Sequence, residues 1–578
     1  MRLNFSVRAF GVFFFGLVYS LQAFSKEPHV IIMGGGVAGM SAAQELAERG
    51  FGVTVYETKD IPGGKARSIV KPGSGIDGRK EIPGEHGFRF FPGFYKHVTD
   101  SMKRIPYGAN RNGVFDNLIH VPRSHYASIG RPKLLIPTRF PKELQDIKDV
   151  LKALSATKKL NIPPDEMADF ARKLDIYLTS CEERRVNEYD AISWYEFMDA
   201  ENKSIPFNTY LVRGATTCLV AARAEEMSFR TGASIMTQLL LSMVGVNGGS
   251  VDRILNGPTN EVWIEPWLNY LKTLGVDYHL NVHVDFINYN IKNNKIESIT
   301  VTENGTQTIV AGDYYIAAVP VEKIIPMITK PMIEADPQLG LLKNLKTEWM
   351  VGLQLFLKKD VKIARAHSAY FDSPWALTSI SQAQFWDKID LSQYGDGRLK
   401  GILSIDISDW NTPGVALHKK PAKDCTPEEI KEEVLAQIKM HLDPAEALEL
   451  EESVYDWFLD PGITFHPGRE AENSEPLLIN TINSWASRPE TETKIPNFFL
   501  ASDYVRTYTD LATMEGANEA ARRAVNGIIS KSGSKASPCK LWPFKEPWTL
   551  SALKALDRLR YKAGLPHFSC TEKALTKP

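Results

Sequence analysis

"VIIMGGGVAGMSAAQELAERGFGVTVYE", Val30 to Glu57, decides the fold of this chain. Four apolar residues, Val30 to Met33, run into a glycine cluster; "AGMSAAQELAERG" follows with apolar residues at helical spacing and is closed by Gly50. "GVTVYE" then reads as a second short strand, so the order is strand, turn, helix, strand. Gly34, Gly36 and Gly39 form G-x-G-x-x-G. The first permits a tight turn, the second lets backbone approach a pyrophosphate, and the third lets helix pack on strand. Val37 and Ala38 then begin a helix whose unpaired N–H groups and positive dipole end suit phosphates. Glu57, about 20 residues on at the end of the second strand, is placed to accept from ribose hydroxyls and would repel a 2′-phosphate. The reading is α/β, a Rossmann-like dinucleotide-binding domain.

With 578 residues the chain is too long for one compact core. Hydrophobic residues make up 43% and charged residues 24%, and 68 Lys plus Arg nearly cancel 69 Asp plus Glu. This balance implies no nucleic-acid partner. Cys181, Cys218, Cys425, Cys539 and Cys570 form no CxxC pair, so neither a zinc site nor a disulfide framework is expected, and no metal is assigned. Before the first strand, Arg2 and Arg8 accompany an apolar run from Ala9 to Leu21 interrupted by Ser20, then Ala23-Phe24-Ser25. That is the anatomy of a signal peptide, shorter than the roughly 20 apolar residues of a spanning helix. An uncleaved anchor, and a true start near Lys26, are the other readings. Export or membrane association follows from the first two, with the side of the membrane open.

Directly after Glu57 comes Pro62-Gly63-Gly64-Lys65. Here the chain resembles the FAD-dependent amine oxidase and carotene (phytoene) desaturase superfamily, whose GG-(Arg/Lys) turn approaches the flavin diphosphate. The resemblance implies FAD as cofactor, Val284 against the adenine, and Asp503 at the ribityl or phosphate part. It also implies a helix from about Met514, with Ala517 in its first turn, directed at the flavin's pyrimidine side. The FAD-binding domain is then discontinuous, made of 26–105, 251–330 and 481–535. An inserted α+β substrate domain comprises a helical part, 106–250, and a mixed part, 331–480. Residues 1–25 are the leader and 536–578 an amphipathic tail. Local patterns agree: Asn304-Gly305 marks a hairpin turn, "PKELQDIKDVLKALSA" and "DEMADFARKLDIYL" read as helices, and Thr426 with Glu429 forms a capping-box pattern.

Two stretches select within the superfamily. "EHGFRFFPGFY", Glu85 to Tyr95, and "YTDLATMEGANEAARRAV" are similar to segments of plant and cyanobacterial carotene desaturases, a likeness shared with squalene-pathway flavoenzymes. Arg89 stands where the family has His, and Ala521-Arg522 where it has Ser-Gly. The resemblance implies desaturation of an isoprenoid (carotenoid- or squalene-type) lipid, with a hydride passing to flavin N5 and a quinone or oxygen as electron acceptor. Phe88, Phe90, Phe91 and Tyr95 suit a lipophilic polyene and allylic cation character, and His86 and Arg89 are the candidate catalytic residues. Flavin amine oxidation, releasing peroxide, is the competing class. In the tail, Leu550, Leu553, Leu556 and Leu559 lie at helical spacing beside Lys554, Arg558, Arg560 and Lys562. Such a stripe more often packs on the protein body; its alternative is peripheral membrane contact.

Overall fold

The computed structural model describes residues 28–87, 90–131, 133–140, 160–214 and 216–569. The leader, the helix expected over 141–156, and Phe88 and Arg89 of the aromatic segment lie outside the described residues.

A parallel sheet organises the cofactor-binding half. Its strands are β1 (His29–Met33), β2 (Gly52–Tyr56), β3 (Asp277–His279), β4 (Tyr314–Ala317) and β5 (Phe498–Leu500), in the spatial order β5-β4-β1-β2-β3. Ile32 of β1 sits opposite Val55 on one side and Ile316 on the other. These central strands are continuous apolar runs because both faces of a parallel sheet are covered. Helix α1 (Val37–Ala47) leads from β1 to β2 and lies against α2 (Met514–Ser532). Ala42 and Ala43 share a buried cluster with Ala517, Ala521 and Ala524, and Asn518 donates to Ser41 Oγ at 2.7 Å. Small side chains allow the two helices this approach.

Between β3 and β4 runs an antiparallel meander, Val282–Asn290, Lys295–Glu303 and Thr306–Val310. Its second turn is Asn304-Gly305, with φ of 49° and 77°. Two successive positive φ values match the mirror-image turn that follows strand twist, which Asn-Gly favours.

A second sheet of seven strands forms the other half. In spatial order they are Val454–Leu459, Val351–Leu357, Gly401–Ile407, Thr378–Ser381, Ala366–Tyr370, Arg123–Ala127 and Leu134–Pro137. Helix Pro427–Met440 covers the Val351–Leu357 pair with Ile430, Val434 and Ile438. It opens with the capping box: Glu429 N–H donates to Thr426 Oγ1 at 3.3 Å and Thr426 N–H donates to Glu429 Oε2 at 2.8 Å. A helical cluster containing Pro164–Thr179 and Phe229–Met243 packs around Trp194 and Phe229.

One carboxylate joins these pieces. Asp510, almost fully buried, accepts from Arg488 at 2.8 Å, Thr231 Oγ1 at 2.9 Å and Asn480 at 3.2 Å, and pairs with Arg230. Arg488 also donates to the carbonyl of Tyr504 at 3.1 Å. The loop between β5 and α2 is thereby tied to the helical cluster. Burial and the Asp510 charge push the neighbouring Asp190 carboxyl up to about 6.

The tail forms α3 (Ser551–Lys562), but its leucines do not pack inward. Leu553, Leu556 and Leu559 are exposed while Asp557 is fully buried, because Asp557 meets Arg184 of the helical cluster at 3.0 Å. Among the described residues no helix is long and apolar enough to cross a membrane.

Removing one partner from a buried ion network costs about 3–5 kcal/mol. Asp510→Ala should therefore lower unfolding free energy by that order in urea denaturation, with flavin release preceding the main transition.

Candidate cofactor and active site

The first glycine turn is built by close backbone approach. Gly34 has φ of 101°, and a Cβ on Gly39 would stand 1.9 Å from the Gly34 carbonyl oxygen. Gly36 differs. A Cβ there would meet nothing closer than Gly64 Cα at 3.6 Å, an ordinary contact, so the protein itself does not exclude a side chain at this position. What that side chain would enter is a cavity of about 690 Å³.

Gly63-Gly64 closes over the first turn: Gly63 N–H donates to the Gly35 carbonyl at 3.0 Å, and a Cβ on Gly64 would come within 2.9 Å of Gly36 Cα. Val37 and Ala38, the first residues of α1, line the cavity. No carboxylate side chain occupies the helix's first turn and no side chain caps it, leaving its N–H groups for an anion.

Glu57 reaches the same wall. Its carboxylate accepts from Gly35 N–H at 2.7 Å and Lys59 N–H at 2.9 Å. Burial pushes this carboxyl up against the opposing pull of those donors. Val284 from the meander and Asp503 after β5 line the cavity as well, with Met514 and Ala517 from α2. Every cofactor-binding residue expected from the sequence borders this one space except Gly39, whose position is taken up by packing against Gly34.

Two basic residues have partners that the sequence does not announce. Lys65 lines the cavity but pairs with Glu322 at 2.9 Å and with the Pro476 carbonyl. Arg67 grips Glu475 through both terminal nitrogens, at 3.0 and 2.5 Å, and Lys59 stands 3.2 Å from Glu475. Burial opposes the Glu475 charge, but Arg67 outweighs it and holds the carboxyl well below its ordinary range. This acid in the cavity wall is thus neutralised and does not repel a diphosphate.

His86 is drawn into a buried pair with Asp460, whose other oxygen accepts from Gly462 N–H at 2.6 Å. Its carbonyl accepts from Gly352 N–H at 2.9 Å, fixing the segment to the second sheet. His86 is therefore held by the protein, while Phe90 and Tyr95 of the same segment line the cavity, joined by Met350 and Leu511. One ligand atom each from His86, Asp460 and Glu475 falls within 4.8 Å of the others; a metal ion there would enter beside Arg67 and Lys59, against two positive charges. Arg89 lies outside the described residues.

Glu515, in the first turn of α2, caps another helix. It accepts from the backbone N–H of Lys96 at 2.7 Å, His97 at 2.8 Å and Val98 at 2.9 Å, and from His97 Nδ1 at 2.7 Å. These are the donors at the start of helix His97–Arg104. Burial raises the Glu515 pKa, but His97 and the N–H groups outweigh it and the net shift is downward.

The profile of the family described as flavin containing amine oxidoreductase matches residues 37–529. The chain belongs to that family. It is 25% identical to the zeta-carotene desaturase of Zea mays, over 87% of this chain and 85% of the relative. It is 22% identical to the zeta-carotene desaturase of Synechocystis, over 87% and 97%. A putrescine oxidase structure aligns at a TM-score of 0.57 and 13% identity, covering 87% of this chain and 99% of that one, which shows the common fold. The protein is an FAD-dependent oxidoreductase. Its residues fit that cofactor: an open α1 N-terminus, a side-chain-sized space at Gly36, and Glu57 at the end of β2.

Two outcomes test the site. Gly36→Val should fold with an unchanged melting temperature in the flavin-free state and purify without visible flavin absorbance, whereas Gly39→Ala should lower stability itself. Glu515→Gln should cost about 2–4 kcal/mol, since charge-assisted hydrogen bonds contribute about 1.5–3 kcal/mol each. The depressed folded pKa fixes the sign: the Glu515 contribution is present above the unfolded value of about 4.3 and is lost as pH falls through the folded one. The gap in melting temperature between wild type and Glu515→Gln should hold above about pH 5 and narrow below about pH 4.

Proposed function

We propose that this protein is an FAD-dependent desaturase or dehydrogenase of an isoprenoid lipid, carotenoid- or squalene-type. The observation that carries the reading is the apolar part of the cavity wall, to which Phe90, Tyr95, Met350, Leu511 and Met514 contribute. The cations on the wall are Lys59, Lys65 and Lys323; Lys59 is paired with Glu475 and Lys65 with Glu322, and Lys323 belongs to the helix Val321–Ile324. Similarity to carotene desaturases over 86–88% of the chain supports the same substrate class.

Bound FAD would supply the hydride acceptor. The chain's own residues have three tasks. The apolar wall aligns an allylic carbon and excludes water, and the aromatic faces of Phe90 and Tyr95 favour positive charge developing on carbon. The α2 N-terminus, with its Thr513 cap accepting from Gly516 N–H at 3.1 Å, borders the cavity through Met514 and Ala517, and its positive dipole end would favour negative charge on a bound, reduced flavin. A lipophilic quinone or oxygen completes the cycle.

Amine oxidation is the second reading. Of the carboxylates on the cavity wall, Glu57, Glu322 and Glu475 are engaged by N–H groups or by Lys and Arg, while Asp285 accepts from Thr302 Oγ1 at 2.6 Å and Asp503 from Ser502 Oγ at 3.2 Å.

Anaerobic absorbance of the flavin-loaded protein in detergent tests the assignment. Phytoene-type or squalene-type isoprenoids should bleach the flavin while a panel of amines leaves it oxidised. Bleaching by an amine alone would move the protein to the oxidase class.

A further inference from the structure

We propose that the outward face of α3 docks this protein on an anionic lipid surface. The helix is held to the protein by its polar side. Asp557, at 0% exposure, accepts from Arg184 Nε at 3.0 Å and from Cys181 N–H at 2.9 Å. Tyr561 Oη accepts from Asn187 at 2.8 Å, Arg558 Nε donates to Glu183 at 2.9 Å, and Lys554 pairs with Glu546.

That anchorage fixes the helix's rotation. At about 100° per residue, the side opposite Asp557 carries Ala552, Ala555, Leu559, Lys562 and Ala563, with Leu556 on its flank, all exposed. Leu559 is 68% and Leu556 47% exposed. Just before the helix Trp548 is 84% exposed, and just after it Leu565 is 47% exposed. An aromatic ring with a polar N–H beside an aliphatic stripe suits the boundary between headgroups and acyl chains.

The charges choose the occupant. Asp557 is the one acidic residue in α3 and is sealed inside, while Arg560 borders the apolar stripe and Lys562 lies within that face, Arg558 being paired with Glu183. A second copy of this face would bring cations against cations; anionic headgroups would meet them with opposite charge. Twelve residues span about 18 Å at 1.5 Å each, too short to cross a bilayer and suited to lying in its plane. The segment that leads to α3 is tied to the cofactor half: Trp542 N–H donates at 3.0 Å to His97 Nε2, the imidazole that meets Glu515 through its other nitrogen. The tail follows residue 529, where the family match ends, and lipid contact through it does not require a lipid substrate.

A fluorophore at one position separates this face from any other membrane contact of the chain. Cys181, Cys218, Cys425 and Cys539 are buried, so the full-length flavin-loaded protein carrying Cys570→Ser and Leu559→Cys can be labelled with nitrobenzoxadiazole. Lys330→Cys, at a site whose side chain is 88% exposed, serves as control. With phosphatidylglycerol–phosphatidylcholine vesicles, emission at position 559 should rise severalfold, shift to the blue and be quenched by doxyl lipids, with no change at position 330. Silence at position 559 would overturn the proposal, even if the protein sediments with vesicles. An equal rise with phosphatidylcholine alone would overturn the anionic assignment. A rise that follows protein concentration without vesicles would assign the face to a second copy instead.

Discussion

The structure depends on two backbone turns approaching more closely than side chains permit. Gly39 must pass Gly34, where a Cβ would lie 1.9 Å from a carbonyl oxygen, and Gly64 must pass Gly36, where a Cβ would lie 2.9 Å from a Cα. Once these contacts form, α1 can start only where it does, with its N–H groups facing the cavity. β1 and β2 then pair from His29↔Gly52 to Met33↔Tyr56, which delivers Glu57 to the cavity edge. Geometry local to some thirty residues thus sets the frame onto which distant segments are added.

Those distant segments are fixed by buried carboxylates. Glu475 meets Arg67 across 408 positions of sequence, Glu515 meets Lys96 across 419, and Asp510 meets Arg230 across 280. A buried charge is expensive unless it is paired and fully hydrogen-bonded, and each of these gathers several donors, Asp510 from more than one element and Glu515 from the start of a single helix. Apolar packing alone would tolerate small slips between the halves of a discontinuous domain. A carboxylate that must satisfy two or three directional donors does not, and the loop before α2 is held by Asp510 and Glu515 on either side of Thr513.

This contrast explains what the sequence made legible. The strand–turn–helix around Gly34, the Asn304-Gly305 hairpin and the Thr426–Glu429 capping box each arise from residues within a few positions of one another, so pattern and mechanism coincide. The partners of Lys65, Arg67, His86 and Glu515 come from hundreds of residues away, and no local signal announces them. His86 reads as a candidate acid or base in a cluster of aromatics; the fold supplies Asp460 and turns it into a buried hydrogen-bond partner of that carboxylate. Glu515 reads as the start of one helix and serves as the cap of another.

The tail reverses the usual rule for an amphipathic helix. Burying a leucine contributes about 1.5–3 kcal/mol, so packing Leu556 and Leu559 inward would be favourable in isolation. Turning α3 to do so would carry Asp557 outward and strip Arg184, 1% exposed, of one of its two carboxylate partners. Breaking a buried pair costs about 3–5 kcal/mol, comparable with the gain from two leucines, and the Tyr561 and Arg558 contacts would be lost with it. Rotation of α3 is therefore governed by its polar residues, and the apolar free energy stays unclaimed within the protein. A surface of that kind, joined through Trp542 and His97 to the helix that Glu515 caps, would give an enzyme of lipid-soluble substrates a fixed orientation toward the phase that holds them.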